Sequence, residues 1–200
     1  MASSIVSICN MALGWIGTKS ITAPGENSPE GRACAQFYDP ARQQTLRDHP
    51  WNFAQARVSL AEVSVPDEYP EYAYAYAWPT RCLHAHTIYS NGAKYDFEVV
   101  SSPDGSGRMI MSNAPVAVLA YTADVTDPTL FDPLYARALS RRLAADIGKV
   151  FFKNNPQAMQ ELETYYANEV RKAQAMDARE GKPDEVETNP WLLSRTMPEG

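Results

Sequence analysis

Cysteine is scarce in this sequence, which contains only Cys9, Cys34 and Cys82. An odd number of widely separated cysteines does not make the framework of closely spaced pairs that stabilises small secreted domains. We therefore expect free thiols and a reducing compartment.

Long apolar runs are missing as well. No stretch of the sequence reaches the roughly 20 apolar residues that a helix needs to cross a bilayer, so no membrane partner is expected. The apolar segment 1–17 lacks the basic start of a signal peptide, and its apolar residues recur at helical spacing. We interpret it as a helix of the folded domain.

Basic residues are too few for a protein that wraps nucleic acid. Lys and Arg number 18 against 24 Asp and Glu, which gives a formal net charge of −6. A nucleic-acid wrapper needs a basic surface to neutralise phosphates. An acidic surface suits a channel past which DNA slides, because like charges repel; a simple contribution to solubility explains the charge equally well.

No residue pattern in the sequence indicates catalysis. Cys82, His84 and His86 alternate, so on a strand they would share one face, and they are ligand types that zinc accepts. Neighbouring positions of one strand rarely converge on a metal, so packing is the favoured interpretation and no cofactor is predicted. His49 could serve as a general base, but no nucleophile lies near it in the sequence, and it precedes a proline at a predicted helix end.

Apolar residues at helical spacing predict four helices. Three of them begin with a capping residue followed by proline, which suits the first turn of a helix. The short link before residue 156 predicts that the last two helices are antiparallel neighbours. The predicted helices occupy residues 1–17, 28–49, 132–151 and 155–180.

Between residues 51 and 126 the period changes from that of a helix to that of a strand. The run Glu71-Tyr72-Ala73-Tyr74-Ala75-Tyr76-Ala77-Trp78 alternates aromatic residues with alanine, which predicts a strand. Asn91-Gly92 predicts a tight turn between two further strands. These short segments predict an antiparallel meander, with the other strands at 82–89, 94–100, 108–111 and 116–121.

The predicted fold class is α+β: a four-helix bundle with an antiparallel β-sheet inserted between helices 2 and 3, followed by a flexible C-terminal tail. The helical domain is discontinuous, comprising residues 1–50 and 127–180, and the β insertion comprises 51–126. Residues 181–200 form an extended tail whose apolar cluster is Trp191, Leu192 and Leu193. Such a cluster in a polar segment indicates either docking on a partner or folding back onto its own subunit.

The most distinctive stretch is His49-Pro50-Trp51-Asn52-Phe53, at the predicted change from helix to sheet. Pro50 cannot donate a backbone hydrogen bond and disfavours a helical conformation at His49, so the helix should end there. Two large aromatic residues directly afterwards predict that the chain is anchored in a core as it leaves the helix. We treat these five residues as a structural signature.

Together with other blocks, this signature resembles the tail tubular protein A family, the head-to-tail adaptors of short-tailed bacteriophages. The resemblance covers most of the chain and is specific only up to about Leu83. Pro40 departs from the family pattern. The matching blocks are Ile8-Cys9-Asn10-Met11-Ala12-Leu13, Ile16-Gly17, Ile21-Thr22, Ser28-Pro29-Glu30-Gly31-Arg32-Ala33-Cys34, Phe37-Tyr38-Asp39, Leu46-Arg47-Asp48-His49-Pro50-Trp51-Asn52-Phe53-Ala54, Tyr74-Ala75-Tyr76, Pro79 and Arg81-Cys82-Leu83.

The resemblance implies a structural virion protein without enzymatic activity. Members of this family form a ring, commonly of twelve copies, beneath the portal protein. The ring extends the channel for the genomic DNA and carries the tail nozzle (a tail tubular protein B-like partner) and, in some phages, the tail fibres. The helices generally build the ring wall and the portal contact, the sheet serves the tail side, and the C-terminal segment embraces the portal or a neighbouring copy. The implied location is the neck of the virion, after assembly in the host cytoplasm.

A basic stripe on the predicted third helix offers a possible interface. It comprises Arg137, Arg141, Arg142 and Lys149. The stripe could be a solvated face or could contact DNA, but we favour an acidic portal surface or a neighbouring subunit as its partner.

An enzymatic alternative is a tail-associated hydrolase of bacterial surface polysaccharide. Such an enzyme needs two facing carboxylates in a cleft, and the tyrosine-rich strand could stack sugars. Charged residues in strands more often lie on solvated faces. The available carboxylates are Glu62, Asp67, Glu68, Glu71, Asp96 and Glu98.

Overall fold

The computed structural model describes residues 3–103, 105, 107–152 and 155–180, with side chains described as far as residue 176. Its four helices are α1 (Ile5–Ile16), α2 (Pro29–Asp48), α3 (Pro133–Phe151) and α4 (Pro156–Glu180). The predicted tail at 181–200, with Trp191, Leu192 and Leu193, lies outside the described residues. None of the described helices has the length and apolar character required to traverse a bilayer.

Local capping explains where the helices begin. The side chains of Ser28, Asp132 and Asn155 accept hydrogen bonds from the backbone N–H groups of the turns that follow them, so the starts predicted from the sequence are confirmed. Helix α1 ends at Gly17, whose φ of 74° is the left-handed conformation that glycine adopts without strain. Helix α2 continues through Pro40 and ends at Asp48.

The β region contains eight strands in two antiparallel sheets. The first sheet has the strand order β1-β8-β4-β5, and the second has the order β2-β3-β7-β6. The predicted turn at Asn91-Gly92 is confirmed, because it joins β4 to β5 with positive φ at both residues. The strands are β1 (Gln55–Ser59), β2 (Glu62–Val63), β3 (Tyr74–Ala77), β4 (Cys82–Ser90), β5 (Ala93–Tyr95), β6 (Phe97–Ser101), β7 (Arg108–Ser112) and β8 (Val118–Ala123).

The two sheets pack face to face around a common core. Ile88 and Leu119 of the first sheet and Tyr76 and Ile110 of the second are buried in one cluster. The chain passes from one sheet to the other at four connections: β1–β2, β3–β4, β5–β6 (at Asp96) and β7–β8. Such crossings are typical of sandwiches whose strands bend at the corners.

Two register shifts in β4 decide which of its side chains face this core. The shifts lie between Cys82 and His84 and between Ala85 and Thr87, and an extra residue of this kind breaks the period of two. Consequently Cys82 and Ala85 are buried, whereas His84 and His86 are exposed. The prediction that Cys82 shares a face with both histidines is therefore wrong.

The predicted four-helix bundle with a single inserted sheet is also wrong. Helix α3 is the hub of the helical region and packs against α1, α2 and α4, whereas α1 and α2 touch each other little. Helix α3 has small buried residues, such as Ala138, Ala144 and Gly148, which allow the other helices to approach it closely on several sides. The inserted region forms two sheets because the chain changes sheet at four connections, whereas in a simple meander each strand pairs with the next.

Candidate interaction surfaces

The signature residues form the junction between the helices and the sheets. Trp51 is 1% exposed, and its indole N–H donates to the carbonyl oxygen of Thr45 at 2.8 Å. Its ring meets those of His49 and Tyr135 edge to face, with centroids 5.0 and 5.1 Å apart. Phe53 packs against Tyr135 at 5.0 Å.

The other two signature residues, Pro50 and Asn52, are exposed. The structure therefore gives the aromatic members of the signature a packing role.

A buried arginine that sequence reasoning missed ties α2 to the end of β8. The Arg42 side chain is 3% exposed and forms ion pairs with Asp39 and Asp124. It also donates to the carbonyl oxygen of Val125 at 2.9 Å. Burial by itself would lower the pKa of Arg42, but the hydrogen bonds and charges of the two aspartates raise it. The sequence signal that could have indicated a buried Arg42 was its position on α2, one turn after the buried Tyr38.

Most of the basic stripe on α3 is paired with α4 of the same chain. Arg142 lies 3.1 Å from Asp146 and 3.5 Å from Glu163. Lys149 contacts the same two carboxylates at 3.1 and 3.3 Å.

Arg137 extends this network with a contact to Glu169 at 3.1 Å. The pairs with Glu163 and Glu169 attach α4 to α3. The cations of Arg137, Arg142 and Lys149 therefore have partners without a portal or DNA.

The fourth member of the stripe lies between two aromatic rings. The Arg141 guanidinium is 3.5 Å from the ring centroid of Trp15 and 5.0 Å from that of Tyr165. Burial lowers the pKa of Arg141. The two rings are 42% and 46% exposed, so this surface stack of Trp15, Arg141 and Tyr165 presents aromatic edges to solvent. It joins α1, α3 and α4, and its two partly exposed rings distinguish it from the ion-paired part of the stripe.

The outer face of the first sheet carries basic and aromatic residues around a shallow cleft. The Arg57 guanidinium lies 5.0 Å from the ring centroid of Tyr89. His84 and His86 contact edge to face at 4.9 Å, and His86 Nε2 is 2.8 Å from Thr122 Oγ1. Burial and the neighbouring His84 lower the pKa of His86. This face holds cations and rings rather than a metal-ligand set.

Three of the carboxylates considered for a hydrolase act on one tyrosine, Tyr72, which lies just before β3. The Tyr72 hydroxyl donates to Glu98 Oε2 at 3.1 Å. That hydrogen bond, with the charges of Glu98, Glu71 and Asp96, raises the pKa of Tyr72.

These three carboxylates and Glu62, Asp67 and Glu68 are all exposed. They form no ion pair with another described residue. An exposed outer face differs from the cleft with facing acids that glycoside hydrolysis requires. In the part of the chain that the structure describes, no three His, Cys, Asp or Glu side chains are arranged to hold a metal ion.

The three cysteines are free, buried thiols. Cys9 of α1 and Cys34 of α2 belong to the same buried cluster, and interaction with Cys34 together with burial raises the pKa of the Cys9 thiol. Burial raises the pKa of Cys82 to about 11. Thiols whose pKa is raised stay neutral and are poor nucleophiles, so we assign Cys9 and Cys82 a packing role.

No protein-family model matches the chain, and no curated protein matches it either.

Proposed function

We propose that this protein is a head-to-tail adaptor of a short-tailed bacteriophage virion. In this role it is a structural protein without enzymatic activity. It forms a ring, commonly of twelve copies in the family that it resembles, between the portal protein and the tail nozzle. It is assembled in the host cytoplasm and acts in the neck of the virion as part of the channel for DNA ejection.

The observation that carries this proposal is the way in which separate blocks of the resemblance meet in the fold. Asn10 belongs to the first block and Ile21 to another. The Asn10 side chain donates to the Ile21 carbonyl oxygen at 3.0 Å and accepts from the Ile21 N–H at 2.8 Å. Cys9 and Cys34 likewise come from separate blocks and are buried in the same core cluster.

The capping residues within the resemblance support the same unit. Ser28 of the resemblance caps α2, and Thr22 of another block donates from its backbone N–H and its hydroxyl, at 2.9 and 2.7 Å, to Glu26, which lies between the two blocks. The blocks up to the signature thus contribute to one core, which α1, α2 and the junction share with α3. A resemblance confined to scattered, unconnected surface positions would give much weaker support for common architecture.

The surfaces of the chain suit assembly better than catalysis. The exposed stack of Trp15, Arg141 and Tyr165 lies on the helical region, which in this family generally contacts the portal. Aromatic residues and arginine are enriched at protein interfaces. The net charge of −6 is compatible with passage of DNA, because an acidic channel wall holds phosphates weakly.

Binding to the portal tests the proposal. The purified protein, mixed with portal rings of the same virus, should co-sediment with them as a ring at their narrow end. A matched control replaces the portal with an unrelated ring protein of similar mass and acidity, which should retain nothing. If the protein stays in the supernatant at concentrations well above those of assembly, the proposal is wrong.

A further inference from the structure

The two outer faces of the β-sandwich carry opposite charges. Arg57 and Lys94 lie on the outside of the first sheet, and Glu71, Asp96 and Glu98 gather on the outside of the second. Because the sheets share one core, these faces look away from each other. A single copy therefore cannot bring its basic and acidic faces together.

Strand alternation places the cations on the outside of the first sheet. Val58 and Tyr95 pack on the shared core, so their neighbours Arg57 and Lys94 point outward. Lys94 pairs with Tyr89 across β4 and β5, and Arg57 covers the ring of the same tyrosine. The two cations thus flank one aromatic side chain.

Within the described part of the chain, these cations differ from Arg137, Arg142 and Lys149 on α3 because they have no acidic partner. Arg57 and Lys94 are exposed and form no ion pair with another described residue. Between them, Ala120 occupies the position of β8 opposite Arg57 and is one of the residues that line the shallow cleft. A small residue there lets the side chains of a partner approach the sheet.

The register of the second sheet places the acids on its outside. Glu98 pairs with Met111, which is buried in a cluster on the outer side of that sheet, beneath Tyr69 and Tyr72. The Tyr72 hydroxyl holds Glu98, and the charges of Glu71 and Asp96 act on the same hydroxyl. The acidic face therefore has several carboxylates near Tyr72, one of them hydrogen bonded to it, as the basic face has two cations beside Tyr89.

We propose that the basic outer face of the first sheet binds the acidic outer face of the second sheet on a neighbouring copy. This inference rests on the ring of the proposed function and names the contact that would build its β layer. The two faces differ, so the contact is head-to-tail, the kind that closes into a ring when the rotation between copies allows. The occupant is a second copy, because the same chain supplies the complementary charges in the same arrangement around an aromatic ring. Surface charge pairs of this kind are screened by salt, so they contribute to an assembly mainly alongside other contacts.

Charge reversal on each face tests the contact. One variant combines Arg57→Glu with Lys94→Glu, and the other combines Glu71→Lys with Glu98→Lys. The number of copies retained on portal rings is measured by mass photometry at an ionic strength of about 0.05 M, where such charges are weakly screened. Each variant alone should need at least about tenfold more protein to fill the portal ring, because like charges meet at every contact.

An equimolar mixture of the two variants should recover filling close to that of the unchanged protein. In the mixture every contact between alternating copies again joins opposite charges. The control reverses two exposed cations outside the sandwich, Lys19→Glu with Arg171→Glu, which shifts the net charge by the same amount as the first variant and should leave filling unchanged.

Failure of this inference is distinguishable from failure of the proposed function. If the unchanged protein fills the portal ring and both variants fill it equally well, the inference is wrong and the proposed function stands. If the basic-face variant loses filling and the mixture does not recover, another molecule, such as the portal or DNA, occupies that face and the inference is again wrong. If the unchanged protein never binds the portal, the proposed function itself fails.

Discussion

The indole N–H of Trp51 donates to the carbonyl oxygen of Thr45, 2.8 Å away and one turn before the end of α2. This bond satisfies a carbonyl that a helix end leaves without an intrahelical partner. The same ring packs edge to face on Tyr135 of α3. A single side chain thereby closes α2, fixes the exit of the chain towards β1 and joins two helices.

Replacement of Trp51 by alanine should therefore lower the free energy of unfolding by about 3–5 kcal/mol, the usual loss when a large buried aromatic is truncated. Urea denaturation followed by circular dichroism measures the change. Asn52→Ala is the matched control, since Asn52 is adjacent to Trp51 and its side chain is exposed. The free energy of unfolding of this variant should stay within about 0.5 kcal/mol of that of the unchanged protein. Equal stability of both variants would refute the role given to Trp51.

The buried ion pair of Arg42 should be a second point of weakness. Arg42→Met leaves the partly buried carboxylate of Asp124 without its cation, and we expect a loss of about 3 kcal/mol. Adding Asp124→Asn to that variant should restore part of the loss, because it removes the unpaired charge. Strictly additive losses in this double-mutant cycle would show that the two side chains are not coupled.

The buried thiol of Cys82 predicts loss of stability in alkali. Its pKa rises from an ordinary value of 9.0 to about 11 in the folded protein. Between these pH values the unfolded chain has released the proton and the folded chain retains it, so unfolding becomes easier as the pH rises. The stabilising contribution of the protonated Cys82 thiol is complete below about pH 9. It is lost as the pH rises through about 11, and the free energy of unfolding falls by up to roughly 1.4 kcal/mol per unit of pKa difference.

The alkaline loss can be assigned by comparing variants. Urea denaturation at pH 8 and pH 10.5 should show a smaller loss in Cys82→Ala than in the unchanged protein, although the variant is less stable at both pH values. The buried Tyr38, whose pKa burial raises to about 12, retains its own contribution in both proteins. Identical pH dependence in the two proteins would contradict the assignment to Cys82.

The C-terminal triplet should be needed for docking and not for folding. Replacing Trp191, Leu192 and Leu193 together by alanine removes the apolar cluster of the segment 181–200. We expect weaker co-sedimentation with portal rings and an unchanged thermal unfolding midpoint. Binding to the portal at the level of the unchanged protein would eliminate this docking role.

The adaptor proposal and the hydrolase alternative predict opposite results in a polysaccharide assay. Under the adaptor proposal, the purified protein should release no reducing sugar from capsular or other surface polysaccharides of the host. Glu71→Gln and Glu98→Gln should leave this result unchanged. Activity in the unchanged protein that either substitution abolishes would establish the alternative and overturn the adaptor proposal.

Local signals explain what the sequence could predict of this fold. Ser28-Pro29, Asp132-Pro133 and Asn91-Gly92 act through their own backbone conformations, so they determine helix starts and a turn without distant contacts. The outward position of both His84 and His86 depends on two register shifts against β8, and no pattern within β4 records them. The division into two sheets likewise depends on pairing between distant strands.

The candidate surfaces also include features that the sequence could predict and features that depend on tertiary packing. The signature around Trp51 was visible because its residue types are unusual together. The pairing of Arg142 and Lys149 with Glu163 was not, because it depends on how α4 is rotated against α3. Arg42 was missed because a charged residue within an apolar stripe is expected to point to solvent until its partners, here from the end of β8, are known.

Cryo-electron microscopy of the portal mixed with this protein tests the central proposal most directly. We expect a ring of copies beneath the portal, each copy containing the α3-centred helices and the two-sheet sandwich, around a continuous channel. A reconstruction with a fully occupied neck and no density for this fold would contradict the proposal that the protein is the head-to-tail adaptor.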